Sequence, residues 1–188
     1  MTTSITAPVV TAGTWTADAV HSDVSFKVRH MAVGKAKGSF ALKSATLVVG
    51  ENGIADAAVT AVIDATSVDT KQEQRDAHVR SADFLDVENH PTLDFRSTSI
   101  VSHKGAEFVV RGDLTIRGVT REVDLKVEFD GVAKSPWGQE VVAFTATTEF
   151  DREEFGITWN QALETGGVLV GKKIAVQISA EGVRQAAE

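Results

Sequence analysis

Apolar residues that recur at every second position constrain this chain more than any other feature. Val24, Phe26 and Val28 alternate with Ser25, Lys27 and Arg29, and Val123, Leu125, Val127 and Phe129 alternate with Asp124, Lys126 and Glu128. A period of two puts successive side chains on opposite faces of an extended strand, so each run reads as a strand with one buried face. Similar runs cover about 36–50, 54–67, 91–103, 106–117, 139–151 and 171–183, giving about eight long segments, with a short strand around Trp15 ahead of them. Between them, Asn52-Gly53 can adopt the positive φ angles of a tight primed turn, and Lys104-Gly105, Arg117-Gly118 and Ser135-Pro136-Trp137-Gly138 supply further turn chemistry. Neighbouring strands are therefore expected to be antiparallel. Eight long strands in one open sheet would leave exposed edges, and closure removes them. The expected fold is all-β, an eight-stranded antiparallel barrel; a two-sheet sandwich is the alternative.

The strand pattern breaks from about Asp69 to His90, where Thr70 and Glu73 have the spacing of a capping box and predict the start of a short helix. Only Ala77 and Val79 are apolar between Lys71 and Ser81, so this helix reads as a cover anchored by Phe84 and Leu85. A second irregular stretch, Phe155 to Gly171, contains Trp159 and Gly166-Gly167 and reads as a loop at a barrel end. The expected organisation is a flexible segment 1–12, a barrel domain 13–183 and a tail 184–188.

Charge and composition exclude several classes. A formal net charge of -7 on 188 residues repels phosphate backbones, so nucleic acid is not an expected partner. The absence of cysteine removes disulfides, thiolate metal sites and thiol nucleophiles together. No run has the length of a spanning helix and the start has no signal-peptide pattern, so the chain reads as cytoplasmic and not membrane-spanning.

An eight-stranded barrel is just wide enough either to fill with side chains or to hold one small ligand. Ala41, Ala45, Ala57, Ala61, Ala65, Ala143, Ala146 and Ala175 would leave space wherever they face inward, but alternating small and large residues can equally close-pack. His21, His30, His78 and His90 lack the paired spacing that aims two rings at one ion, and no metal site is expected. Arg75, Asp76 and His78 resemble an acid–base set, although helical geometry turns Asp76 away from the other two; the alternative is a charge network tying the helix to the barrel rim. No nucleophile elbow, phosphate-binding loop or dinucleotide fingerprint is present. Asp151 and Arg152, between Phe150 and Phe155, read as a structural corner or as an ion pair across chains.

In order along the chain stand Trp15, Asp18, His21-Ser22, Phe26, His30-Met31, Gly38, Phe40, Ser67-Val68-Asp69-Thr70, Arg75-Asp76-x-His78, Ser81, Asp83-Phe84, Pro91, the run Gly112 to Thr120, Asp151-Arg152 and Phe155-Gly156. Together these resemble the YceI-like family of barrel proteins, often described as polyisoprenoid-binding, over nearly the whole chain from Trp15 to about Gly182. The resemblance implies a lipocalin-like barrel with a helical segment near one end, an elongated apolar tunnel and commonly a homodimer. It further implies a non-enzymatic protein with no required cofactor, whose partner is a long-chain lipid: a polyisoprenoid, an isoprenoid quinone or a fatty amphiphile. Phe26, Val28, Phe40, Leu42, Phe95 and Phe108 are then expected to line the tunnel, with Phe84, Phe155 and Trp159 near its ends. Arg29, His30 and Asn160 are candidates for a polar headgroup. Many relatives are periplasmic, which the absence of a signal here does not match. The competing readings are a structural or stress-response protein with a filled barrel and an enzyme using Arg75, Asp76 and His78.

Overall fold

The computed structural model of the chain describes residues 9–186. Strands β1 (Gly13–Ala17), β2 (Asp23–His30), β3 (Gly34–Gly50) and β4 (Gly53–Asp69) lead to helix α1 (Glu73–Arg80). They are followed by β5 (Thr92–Lys104), β6 (Glu107–Ile116), β7 (Val119–Lys134), β8 (Glu140–Asp151), a 3₁₀ turn (Arg152–Phe155) and β9 (Val170–Arg184). Among the described residues no helix is long and apolar enough to cross a membrane.

Hydrogen bonding runs in the order β1-β3-β2-β9-β8-β7-β6-β5-β4, and a ladder between β3 and β4 closes the ring. β1 and β2 share one place in the wall, because both pair with β3 on one side and with β9 on the other at different heights. Eight positions therefore surround the interior, and the sandwich alternative is not formed. Of the ends expected to be flexible, 1–8 and 187–188 lie outside the described residues. Val10 is buried, Arg184 pairs with Trp15, and the Gln185 N–H donates to the Thr14 carbonyl at 2.8 Å.

Two local expectations are corrected. Helix α1 is capped by Gln72, whose side chain accepts the Arg75 N–H, because Lys71 at φ 62° turns the chain after Thr70. Thr70 is instead buried beneath the helix. At the β3–β4 hairpin only Gly53 has positive φ, at 72°, so Glu51 and Asn52 form the turn and Gly53 follows as the left-handed residue. The primed turn lies at Arg117-Gly118, with φ of 52° and 71° between the paired Ile116 and Val119.

Two glycines make room for aromatic rings that lie across the wall. Gly38 stands opposite Phe26, and a Cβ there would come within 2.5 Å of the ring; at Gly112 it would meet the Phe95 ring at 2.4 Å and the Arg96 carbonyl oxygen at 2.5 Å. Because the second clash includes backbone, no rotamer relieves it. Gly112→Ala should therefore lower the unfolding free energy by about 2 kcal/mol, read from a urea titration with an unchanged slope.

Candidate binding cavity

The closed wall encloses a cavity of about 650 Å³, inside the roughly 300–1,000 Å³ range of small-molecule sites. Ala45, Ala57, Ala61 and Ala146 face it, whereas Ala41, Ala143 and Ala175 do not. Irregularities in the β3–β4 ladder between Ser39 and Ala41 and between Leu42 and Ser44 shift the register between these strands. The inward alanines leave the space that Phe40, Leu42, Leu125 and Phe144 would otherwise close.

The two ends differ. At one, Trp15 is buried with Val10, Val49, Ile54, Phe108 and Val142, and its Nε1–H donates to the Thr11 carbonyl at 3.1 Å. This plug is apolar apart from one satisfied donor. At the other end lie α1, the β2–β3 turn and the 156–169 loop, and there the lining residues Arg29, His30, Gln72, Gln74, Arg75, His78 and Arg152 gather. Among the described residues that line the cavity, the only carboxylate is that of Glu181, beside the Gly182–Ala17 pair.

The α1 end is built around Thr70. Its N–H and Oγ1–H both donate to Asp76 Oδ1, at 2.8 and 2.5 Å, while Arg75 donates through Nε to Thr70 Oγ1 and through Nη2 to the Thr70 carbonyl, each at 2.8 Å. Arg75 and Asp76, expected to point apart, thus converge on one residue. His78 is directed elsewhere: Nε2 lies 2.9 Å from Asp83 Oδ2, and the ring meets Trp159 edge-on at 4.5 Å and Phe84 at 4.9 Å.

Arg152 holds the second irregular stretch. It is 2% exposed and forms no ion pair among the described residues; Nε donates to the Gly171 carbonyl and Nη1 to the carbonyls of Ile157 and Trp159, each at 2.9 Å. Its guanidinium carbon lies 5.9 Å from the Phe84 ring centre. Burial pushes this guanidinium below its ordinary range, with Glu153 and Asp151 opposing the shift. Of the two readings, the structural corner is the one formed, and Arg152 is directed to carbonyls of its own chain because the 3₁₀ turn aims the side chain inward. Nothing in the charged run Asp151 to Glu154 signals that, since the accepting carbonyls come from distant residues.

Phe26, Val28, Phe40, Leu42, Phe95 and Phe108 line the cavity, as do Phe84, Trp159, Arg29 and His30. Two expected site residues do not. Phe155, in the 3₁₀ turn, is completely buried in the core cluster with Val24, Leu42 and Leu85, its ring centre 5.2 Å from that of Phe150. Asn160 is occupied by backbone, donating to the Val170 carbonyl at 2.7 Å and accepting the Val170 N–H at 3.1 Å. Sequence reasoning missed Arg75, His78 and Arg152 as lining residues, together with Gln72 and Gln74 beside them. Among the described residues no three His, Asp or Glu side chains are grouped to hold a metal.

Removing the acceptor at the centre of the α1 network should be costly. Asp76→Ala leaves two Thr70 donors buried without a partner, and thermal or urea unfolding should show a loss of about 2–4 kcal/mol. Glu73→Ala on the exposed side of the same helix should change stability by less than about 0.5 kcal/mol.

The sequence model of the YceI-like domain matches residues 15–182. A UPF0312 protein of Staphylococcus epidermidis is 42% identical, with 87% of this chain and 94% of that protein covered. One from Staphylococcus aureus is 39% identical over 89% of this chain and 95% of its own. Among solved structures, Burkholderia cenocepacia BcnA superposes with a TM-score of 0.75 at 20% identity, covering 88% of this chain and 98% of its own. A Campylobacter jejuni YceI protein gives 0.68 at 25% identity, covering 84% and 90%. A polyisoprenoid binding domain from Saccharophagus degradans gives 0.67 at 12% identity, covering 91% and 98%. The match extends from the Trp15 plug through the Thr70 network and the Arg152 turn to the closing strand, and the chain belongs to the YceI-like domain family.

Proposed function

We propose that this protein binds one long-chain amphiphile, an isoprenoid, an isoprenoid quinone or a fatty compound, and stores or carries it without chemical change. The observation that carries this reading is the asymmetry of the cavity: about 650 Å³ of mostly apolar interior, plugged at the Trp15 end, with its cationic, imidazole and amide lining residues gathered around α1. A tail occupies the interior, and its head sits among Arg29, His30, Gln72, Gln74 and His78. The Saccharophagus degradans neighbour, a polyisoprenoid binding domain, supports the same class of ligand.

The enzyme alternative loses support from the bonding of its residues. Arg75 and Asp76 direct their hydrogen bonds to Thr70, and His78 is packed between Trp159 and Phe84. The filled-barrel alternative leaves a cavity of this size without a role.

Apolar tails contribute about 0.8 kcal/mol per buried methylene, so affinity for a series of straight-chain fatty alcohols should rise about fourfold per carbon and then level off when the cavity is full. Calorimetry with the lipid-free protein reads this directly. Ala61→Phe should bring the plateau to a shorter chain. Affinity independent of chain length would overturn the proposal, as would native mass spectrometry showing no amphiphile taken up from detergent-free solution.

A further inference from the structure

We infer that the β2–β3 hairpin docks the polar end of the barrel onto an anionic lipid bilayer, bringing the cavity mouth to the surface from which its ligand is exchanged. The inference rests on the carrier reading above and adds a partner to it.

Toward its tip the outer face of the hairpin carries two cross-strand pairs of cations, beyond the Ser25–Ser39 pair. Lys27 stands directly opposite Lys37 and Arg29 opposite Lys35, and all four are exposed. Like charges directly opposite in a ladder are destabilising. Among the described residues none of the four takes part in a salt bridge. Three of the flanking acids are engaged by other lysines: Asp69 binds Lys71, Glu153 binds Lys172 and Glu149 faces Lys173, while Asp151 and Glu154 lie in the surface concavity on the Lys27 side, away from the hairpin tip. The exposed acids Glu73 and Glu164 belong to α1 and the 156–169 loop. Four cations without salt bridges on one hairpin face, in a chain of net charge -7, suit an anionic partner.

The tip of the hairpin says which kind. Met31 and Ala32 hold φ of 53° and 60°, angles for which Asn and Gly are the usual choices. Here the turn presents side chains instead, with Met31 46% and Val33 93% exposed, and Val168 on the adjoining loop 46% exposed. The Met31 N–H donates to the carbonyl of Leu169, whose side chain lines the cavity, at 2.9 Å. Apolar side chains projecting beyond a patch of cations, joined to the mouth of a lipid-sized cavity, match the layered chemistry of a membrane interface: anionic headgroups beside the patch, acyl chains beneath the tip. Nucleic acid would satisfy the cations and leave Met31 and Val33 in water.

Co-sedimentation with vesicles tests this. The protein should pellet with vesicles of equal parts phosphatidylcholine and phosphatidylglycerol, and much less with phosphatidylcholine alone. The double variant Lys35→Gln, Lys37→Gln should weaken binding about fivefold per charge removed, and raising salt should weaken the wild type likewise. Met31→Ser with Val33→Ser should lower binding to the anionic vesicles, whereas Trp137→Ser, at the opposite end and 85% exposed, should not. Binding of a soluble fluorescent fatty acid in the absence of vesicles should be unchanged in all variants. Loss of that signal in the wild type would refute the carrier reading alone, since vesicle binding is measured separately. Equal binding to both vesicle types, no binding to either, an equal effect of Trp137→Ser, or a change of oligomeric state in place of vesicle binding would each overturn the docking proposal.

Discussion

Everything inside this protein depends on one ladder, the antiparallel pairing of β3 with β4 that returns the sheet to its own start. Once the ring is closed, backbone hydrogen bonds fix the circumference, and the interior width no longer depends on how well side chains fill it. A sheet packed against another sheet collapses until its side chains touch. A closed ring resists that collapse through its own backbone, so inward alanines create space that persists. The same closure leaves only the two rims to be solved by other means, and the chain solves them differently: an indole plug at one, a helix and a strapped loop at the other.

The strapped rim shows how a charge can serve as a fastener without an opposite charge. Arg152 gathers carbonyls from Ile157, Trp159 and Gly171, which are separated along the chain and have no ladder to join them. A guanidinium suits this role because its donors are fixed in a planar fork, and it stays charged even when burial lowers its basicity. Neighbouring Asp76 performs the complementary task, accepting the donors of Thr70 where β4 ends and the chain turns into α1. Both groups hold irregular backbone in place, which makes the polar end of the cavity a shaped opening.

Much of the wall was legible in the sequence, because alternation such as Val24-x-Phe26-x-Val28 is a direct imprint of the pleat. Less legible was anything dependent on register. Ala41 and Ala45 belong to one strand, yet only Ala45 reaches the cavity, and the ladder irregularities beside them have no sequence signature strong enough to read. Thr70 and Glu73 spelled a capping box, but a left-handed Lys71 moved the helix start and turned Thr70 into the buried anchor. Asn160 looked like a free polar group and is a backbone clamp. In each case the deciding partner lies far along the chain or in a backbone angle that several residue types can adopt. Family resemblance supplied the hollow interior that periodicity left open.

The ladders at the seam also set the order of events in the life of the chain. β1 and β2 pair with β9, so the first strands of the sequence are neighbours of the last, with Trp15 beside Arg184 and Val24 beside Ile178. Contacts this distant in sequence form late and slowly. As the chain leaves the ribosome, the hairpins from β3 to β8 can assemble in succession, but the place between β2 and β8 stays vacant until β9 is released. The lumen therefore comes into being only when β9 takes its place between β2 and β8, and its first occupant enters a ring already closed by that strand.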